Sequence, residues 1–292
     1  MNKLATNNFS LSNDPFIDCW NQILAPKWGR FRHLLSAGGK TYSDIACHDF
    51  DFQLGNKILD VGCGFGESSL EIAQQVGNQG EVLGIDCTEA FLNIAEQERQ
   101  HASIENISYI MGDAQQYPLP TAYFDIAFSR FGVMFFASAV QALRNMHQAL
   151  KPGGKLCLIV WRTIADNPCW HDAKQIALQY LPPPEGGITC GPGPFSMANE
   201  ETTRAMLAAA GFTDVSLFKR ADADICVGNS LEEAIDFQTM VGPAGEIIRE
   251  AGELGKQKLS IVRQAIAKHM RQFQTDSGIY MPSSCWLIMA HK

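Results

Sequence analysis

The sequence lacks any apolar run that approaches the roughly 20 residues needed to cross a membrane, and its first residues lack the apolar core of a signal peptide. Basic residues are in deficit, because 23 Lys and Arg against 31 Asp and Glu give a formal net charge of −8. This balance argues against nucleic acid as a partner, since proteins bind its phosphates largely through Lys and Arg. We therefore expect neither a membrane span nor a nucleic-acid partner.

The nine cysteines include no Cys-x-x-Cys pair and are not accompanied by a His-rich segment. That spacing excludes the usual zinc sites, so we expect no metal. Scattered cysteines in a chain of this size indicate reduced, mostly buried thiols and predict a cytoplasmic location.

The most informative feature that is present is the segment 58–66, Ile-Leu-Asp-Val-Gly-Cys-Gly-Phe-Gly. It predicts a buried strand that turns sharply into a helix, because glycine tolerates positive φ and lets a ligand approach the backbone. A dinucleotide fingerprint needs its third glycine three residues after the second, but here Gly66 follows Gly64 by two. Asp60 before the glycines and Glu67 beside them would repel a pyrophosphate. The loop therefore suits an adenosyl ligand that has no phosphate and carries a cationic end.

Four further motifs follow the glycine loop in a fixed order. They are Glu81–Asp86 (a strand ending in an acid), Gly112-Asp113-Ala114, Phe124–Ser129, and Leu150–Gly154 (Leu-Lys-Pro-Gly-Gly). Together the five motifs resemble those of the class I methyltransferases that use S-adenosylmethionine. The resemblance spans about residues 57–161 and is nearest to the small-molecule methyltransferases of the ubiquinone and menaquinone biosynthesis type.

Short apolar runs alternate with helical segments and predict an α/β fold. Strands are expected at 57–61, 81–86, 107–111, 124–129 and 155–161. Such alternation implies a doubly wound, mostly parallel sheet with the ligand at the carboxyl ends of its strands. The resemblance adds a sixth strand at 212–220 and a last, antiparallel strand at 284–290, giving seven.

We expect one domain over 1–292, without an internal repeat or linker. Its parts are a core at 57–162, 199–220 and 283–292, an N-terminal helical cover at 14–50, and insertions at 163–198 and 221–280 that form a largely helical lid. The first insertion is rich in Pro and Gly, and the second is mostly helical over 230–275.

Three acids and one amide group are assigned to the cofactor. A carboxylate at a strand end can bind both hydroxyls of a ribose, which is the role we assign to Asp86. Asp113 is expected to accept from the adenine amino group while the Ala114 amide donates to a ring nitrogen. Asp60 is expected to orient the loop and reach the cationic methionine end. The alternative for Asp86 and Asp113 is that each caps a helix.

Further cofactor contacts are expected from the loop and from aromatic or small side chains near it. These are Gly62 and Gly64, which let the cofactor lie against backbone, together with Cys87, Ser129 and Trp28. Cys87 fits equally well as a core residue, and Trp28, which could offer a cation–π contact to a sulfonium, also suits core packing.

The predicted reaction is displacement of a methyl group from a sulfonium by an N, O, S or C nucleophile. Because the methyl group is already activated, alignment and desolvation can supply much of the acceleration, and a base is needed only if the nucleophile must lose a proton. The candidate base is His171, with a structural histidine as the alternative. Tyr280, Arg130, Phe131 and Phe135 are candidates for the acceptor pocket, although the two phenylalanines would also fit as packing for the next helix.

Four rival functions need to be weighed. An NAD-dependent oxidoreductase would share the acid at 86 but not the glycine spacing. A nucleic-acid amino methyltransferase would carry an Asn/Asp-Pro-Pro-Tyr-like motif where this chain has Ser-Arg-Phe-Gly at 129–132. A protein methyltransferase and a non-catalytic protein that binds an adenosyl ligand are the remaining alternatives to a small-molecule enzyme.

Overall fold

The computed structural model describes residues 13–184 and 191–292. The strands of these residues, in chain order, are β1 (Lys57–Val61), β2 (Glu81–Asp86), β3 (Ile107–Met111), β4 (Phe124–Arg130), β5 (Leu150–Trp161), β6 (Asp214–Gly228), β7 (Gln274–Thr275) and β8 (Gly278–His291). They form one sheet in the order β3-β2-β1-β4-β5-β8-β6, with β7 beside β8.

Strands β1 to β5 pair in parallel, and β8 runs antiparallel to both β5 and β6. Strand β1 lies between β2 and β4, so the chain leaves the centre of the sheet in one direction and returns to build the other half. In an open sheet this reversal creates a crevice at the carboxyl ends of the central strands. The predicted α/β class, with its mostly parallel sheet and antiparallel last strand, is confirmed.

The helices of the described residues surround this sheet. They are α1 (Asp14–Cys19), α2 (Ala25–Arg30), α3 (Arg32–Phe50), α4 (Glu67–Val76), α5 (Glu89–His101), α6 (Ala139–Ala149), α7 (Pro168–Leu178), α8 (Glu200–Ala210), α9 (Leu231–Met240), α10 (Gly242–Glu250) and α11 (Gly252–Met270). A π-helical segment, Trp20–Leu24, joins α1 to α2, and short 3-10 turns lie at Val133–Phe135, Ile164–Asp166 and Arg271–Phe273.

The late strands are longer than the sequence predicts. Strand β6 continues to Gly228 instead of ending at 220, because it pairs with β8 from Asp214 opposite His291 to Gly228 opposite Ile279. The expected second insertion therefore begins as a strand, and its helical part is divided into α9, α10 and α11. Residues 185–190, which belong to the first expected insertion, lie outside the described residues.

The N-terminal helix α3 packs on the core of the sheet. Its Tyr42 and Phe50 are fully buried, and Phe50 contacts Phe128 of β4 edge-on at 6.2 Å between ring centroids. The Tyr42 hydroxyl and Ser283 Oγ of β8 lie 2.6 Å apart and share a hydrogen bond. These contacts fix α3 against β4 and β8, which lie in the same half of the sheet.

Two ion pairs and one histidine–carboxylate contact join the N-terminal helices to the helices beyond β6. Lys27 pairs with Glu246 of α10, and Arg30 pairs with Asp236 of α9. His33 Nε2 lies 3.0 Å from Glu233 Oε1 of α9. The N-terminal helices α2 and α3 therefore contact α9 and α10 directly.

Seven of the described cysteines carry free thiols. Cys19 is disulfide-bonded, which corrects the expectation that the cysteines are reduced. Across residues 13–184 and 191–292, none of the helices combines the length and apolar character that spanning a bilayer requires.

Candidate active site

A cavity of about 720 Å³ lies at the carboxyl ends of β1, β2 and β4. The glycine loop and the ends of β2 and β3 form one end, and α7, α9 and α10 form the other, with the N-terminal helices alongside. This volume lies within the usual range for small-molecule sites, roughly 300–1,000 Å³. The geometry brings the motifs of the sequence together with residues from the last third of the chain.

The loop glycines are needed for two different reasons. Gly62, Gly64 and Gly66 all have positive φ, at 69°, 55° and 83°. A Cβ at Gly62 would lie 2.8 Å from the Cα of Gly132, so this glycine allows two turns to meet. A Cβ at Gly64 would meet nothing within 4 Å, and Gly64 lines the cavity. Only Gly64 therefore presents its bare backbone to open space.

Asp86 stands at the end of β2 with its carboxylate anchored on both sides. Oδ2 accepts from the Gly64 backbone N–H at 2.9 Å, and Oδ1 accepts from the Thr88 N–H at 2.8 Å. Burial raises the pKa of this carboxyl, and the backbone N–H donors oppose that rise. Each oxygen keeps accepting capacity beyond its one backbone donor, so a carboxylate held in this way can also receive two hydroxyl groups.

Asp113, at the end of β3, has one satisfied and one unsatisfied oxygen. Oδ1 accepts from Asn13 Nδ2 at 3.1 Å and from the Gln115 N–H at 2.9 Å. Oδ2 is buried and has no hydrogen-bond partner among residues 13–184 and 191–292. Because an orphaned buried acceptor is costly, this oxygen marks a place where a ligand donor such as an adenine amino group fits.

Asp60 and Ser129 lie beneath the loop and are not among the residues lining the cavity. Asp60 Oδ2 accepts from Ser68 Oγ at 2.7 Å and Ser69 Oγ at 2.6 Å, which ties the start of α4 to β1. Complete burial raises the pKa of Asp60. Ser129 Oγ donates to Val61 O at 2.8 Å. Both residues therefore support the loop, as predicted for Asp60. Asp60 Oδ1 is buried and has no hydrogen-bond partner among the described residues, and the cofactor contacts of Asp60 and Ser129 stay predictions.

The remaining cofactor candidates line the cavity. Ala114 is buried beside Asp113, and Cys87 follows Asp86. Trp28 meets Trp20 edge-on, with 4.9 Å between ring centroids, so it packs in an aromatic cluster and faces the cavity as well. Trp28 therefore packs against other aromatic rings, as one alternative predicts, and its contact with a sulfonium stays a prediction.

The acceptor candidates from the end of β4 also line the cavity. The Arg130 side chain is 8% exposed and its Nη1 donates to Ser43 Oγ at 2.7 Å. Phe131 adopts a φ of 60° and stacks on Trp161. A positive φ is unusual for a bulky residue and costs on the order of 1 kcal/mol, so the surrounding fold must hold this ring in place.

Phe135 and Phe136 follow in the next turn and line the same cavity. Phe135 contacts Trp20 edge-on, with 5.0 Å between ring centroids. Phe135 therefore both lines the cavity and packs against a neighbouring ring, so the two expectations for it are compatible.

His171 and Tyr280 are not brought to the cavity. His171 Nδ1 lies 3.2 Å from Asp172 Oδ1, and the other oxygen of Asp172 lies 2.8 Å from His269 Nε2. On α7 it is Trp170 and Lys174, four residues apart, that face the cavity. Because a helix advances by about 100° per residue, His171 is rotated by about 100° from Trp170 and by about 60° from Lys174 around the helix axis. Tyr280 lies on β8 opposite Cys226 of β6.

Several residues of the site gave no local signal in the sequence. Asn13 donates to Asp113 and accepts from the Ala137 N–H at 3.0 Å. These two hydrogen bonds join the segment before α1 to the end of β3 and to the loop before α6. Trp170, Lys174 and Glu246 reach the cavity from helices beyond β5. The spacing of Trp170 and Lys174 on one helix face was the only available hint. No group of three or more His, Cys, Asp or Glu side chains suited to a metal occurs in the described residues.

Residues 58–154 match the family described as a methyltransferase domain. The demethylmenaquinone methyltransferase of Listeria welshimeri is 33% identical over 132 residues, which are 45% of this chain and 55% of that protein. The enzyme of the same name from Staphylococcus epidermidis is 27% identical over 205 residues, 66% of this chain and 83% of that protein. By the Listeria match, the chain spans about half the length of the curated relatives it matches.

A solved structure of Haemonchus contortus phosphoethanolamine N-methyltransferase 2, in complex with S-adenosyl-L-methionine, is similar in fold. Its TM-score is 0.56 at 16% identity, covering 95% of this chain and 60% of that one. Over residues 58–154, the strand order, the glycine loop and the family match agree in their similarity to a methyltransferase domain, as the motifs predicted. The two curated relatives described above are both named demethylmenaquinone methyltransferase.

Proposed function

We propose that the protein transfers the methyl group of S-adenosylmethionine to an N, O, S or C nucleophile of a small molecule. The observation that carries the proposal is the pair of carboxylates at adjacent strand ends. Asp86 is anchored by the Gly64 and Thr88 amides, and Asp113 has an unpartnered oxygen, while Gly64 opens onto the cavity. These residues fit an adenosine with two ribose hydroxyls and one amino group.

The cofactor, when bound, supplies a methyl group already activated by a sulfonium. Asp86, Asp113 and the loop at Gly64 would hold the cofactor, which would give its methyl group to the nucleophile while the electron pair of the broken carbon–sulfur bond stayed on sulfur. The protein's part is to hold the acceptor in line and to exclude water, and well-aligned reactants gain roughly 7–11 kcal/mol over free ones. The walls built by Phe131, Trp161 and Phe135 suit this task because they are apolar.

A histidine base is not part of the proposed mechanism. None of the described histidines lines the cavity. Proton loss from the nucleophile then falls to water or follows the transfer, which is feasible because a sulfonium methyl does not need an ionised nucleophile in every case.

The small-molecule acceptor is supported by the shape of the cavity, which is bounded by the cover helices α1 to α3 and by α7, α9 and α10. A demethylmenaquinone methyltransferase name among the relatives agrees with such an acceptor. The cytoplasmic location stays a prediction and rests on the chain's composition.

The proposal is tested by calorimetric titration with S-adenosylmethionine, S-adenosylhomocysteine and NADH. We expect micromolar affinity for both adenosyl ligands and no binding of NADH. Binding of NADH alone would overturn the interpretation of the glycine spacing, and binding of none of the three would contradict the proposed activity.

The acceptor class is tested with methyl-labelled S-adenosylmethionine. Protein is incubated with a cell extract that has been divided by ultrafiltration into small molecules and macromolecules. Label in products of the small-molecule fraction is the expected result. Label only in the macromolecule fraction, on protein, would mean that the acceptor is a protein. No label in either fraction would favour a non-catalytic binding protein.

A further inference from the structure

Of the charged side chains that line the cavity, leaving aside Asp86 and Asp113, all but one have an ion-pair partner. Apart from Asp86 and Asp113, the cavity is lined by the charged residues Glu67, Arg130, Lys174, Glu246 and Glu250. Glu67 pairs with Arg32 at 2.8 Å and Arg130 with Glu71 at 3.4 Å. Glu246 and Glu250 both pair with Arg249, at 2.7 and 3.1 Å.

Lys174 is the exception. Within the ranges 13–184 and 191–292 it has no ion pair and no hydrogen-bond partner, and its side chain is half-buried at the cavity wall. A cation in a largely apolar wall loses hydration without gaining a counterion. An anionic group of a bound molecule would supply that counterion.

Trp170 lies one helical turn before Lys174 on the same face of α7. In the part of the chain that the structure describes, the buried Trp170 indole nitrogen has no hydrogen-bond partner, although a buried Trp N–H usually has one. Its ring is held in place, since a Cβ at Gly242 would lie 2.7 Å from its Cε3 and the Phe237 ring is 5.4 Å away between centroids. Helix α7 thus contributes one unpaired cation and one unsatisfied donor to the same part of the site.

An aromatic wall connects this pair to the glycine loop. Phe131 follows β4 beside Gly132, which touches Gly62. Phe131 stacks on Trp161, and Trp161 meets Trp170 edge-on with 6.2 Å between centroids. A flat, apolar molecule lying on this wall would have one end near the loop and the other near Lys174.

We propose that the acceptor is an aromatic carboxylate whose anionic oxygen is bound by Lys174, with the Trp170 N–H as a second donor. This inference rests on the proposed methyl transfer, because it identifies the chemistry of the acceptor in the same cavity. Lys174 acts in recognition: it positions the acceptor at the end remote from the glycine loop and takes no part in bond making.

The test uses 2-naphthoate and 2-naphthamide, which share a ring system and differ in charge, titrated calorimetrically into protein saturated with S-adenosylhomocysteine. We expect naphthoate to bind the wild type about tenfold more tightly than naphthamide, the range of a charge-assisted hydrogen bond. Lys174→Met should abolish this preference while leaving naphthamide affinity unchanged, and Lys174→Arg should retain it. Trp170→Phe should reduce the preference only partly.

The matched control is Lys268→Met, which removes an exposed lysine on α11 and should behave as the wild type. Equal affinity of the two probes for the wild type, absence of naphthoate binding, or a preference that survives in Lys174→Met would each overturn the inference. Binding of S-adenosylhomocysteine is measured first. Its failure contradicts the proposed function, whereas bound S-adenosylhomocysteine without a Lys174-dependent preference overturns only the acceptor assignment.

Discussion

Phe131 and Trp161 stack with 4.3 Å between ring centroids and 12° between ring planes, and Phe131 makes this contact from a backbone φ of 60°. The stack joins the end of β4 to the end of β5, and both rings line the cavity. Tertiary packing therefore holds a locally unfavourable backbone at the site, a feature found where geometry matters for function.

The strain at Phe131 can be measured as a stability difference. Phe131→Gly should unfold with a free energy about 1 kcal/mol higher than Phe131→Ala, because glycine adopts positive φ without the Cβ penalty. Denaturant titration of both variants gives the comparison. The control is Phe135, whose φ is not positive. There the glycine variant should not be more stable than the alanine variant. A more stable alanine variant at 131 would show that the backbone there relaxes once the ring is removed.

Asp86 should be the main polar contributor to cofactor affinity. Asp86→Ala is expected to weaken S-adenosylhomocysteine binding by roughly 1.5–3 kcal/mol, the range for hydrogen bonds to a charged group. The matched control is Asp125→Ala, which removes a carboxylate that accepts from the Lys57 N–H at 2.8 Å and does not line the cavity. Calorimetry should show unchanged affinity in the control. Unchanged affinity in Asp86→Ala would mean that the ribose site is misplaced.

His171 should be dispensable for methyl transfer. Because it pairs with Asp172 outside the cavity, His171→Ala is expected to retain the wild-type rate of product formation and cofactor affinity. Transfer of labelled methyl groups to the small-molecule fraction provides the rate. A slowed transfer with intact cofactor binding would restore His171 as the base and would require α7 to rotate during the reaction.

The buried carboxyl of Asp60 should make stability depend on pH. Burial raises its pKa above the ordinary value of 3.8. As pH rises, Asp60 of the unfolded state therefore loses its proton before Asp60 of the folded state does. The contribution of Asp60 to stability is complete below pH 3.8, falls above it, and is lost as the pH rises through the folded-state pKa.

The comparison that isolates this effect is Asp60→Asn. The unfolding free energy of the wild type minus that of the variant should fall as pH rises from 3.8 upward, measured by urea titration at each pH. A difference that is constant across this window would mean that Ser68 and Ser69 compensate the burial of the charge fully.

The sequence by itself determined which residues form the end of the cavity at the glycine loop. The strand–turn–helix at 58–66, the acid at 86 and the acid at 113 are local signals, since each lies at the end of a strand whose partners are fixed by the alternation of strands and helices. Parallel strand ends meet at one edge of the sheet, so these residues had to come together.

Only the tertiary structure decided the rest. Asn13 reaches Asp113 across 100 residues, and Lys174 instead of His171 faces the cavity because of the rotation of α7 against α9 and α10. The positive φ of Phe131 and the extension of β6 to Gly228 likewise depend on partners far away in sequence. Long-range packing chooses among several locally acceptable orientations, and no local pattern records that choice.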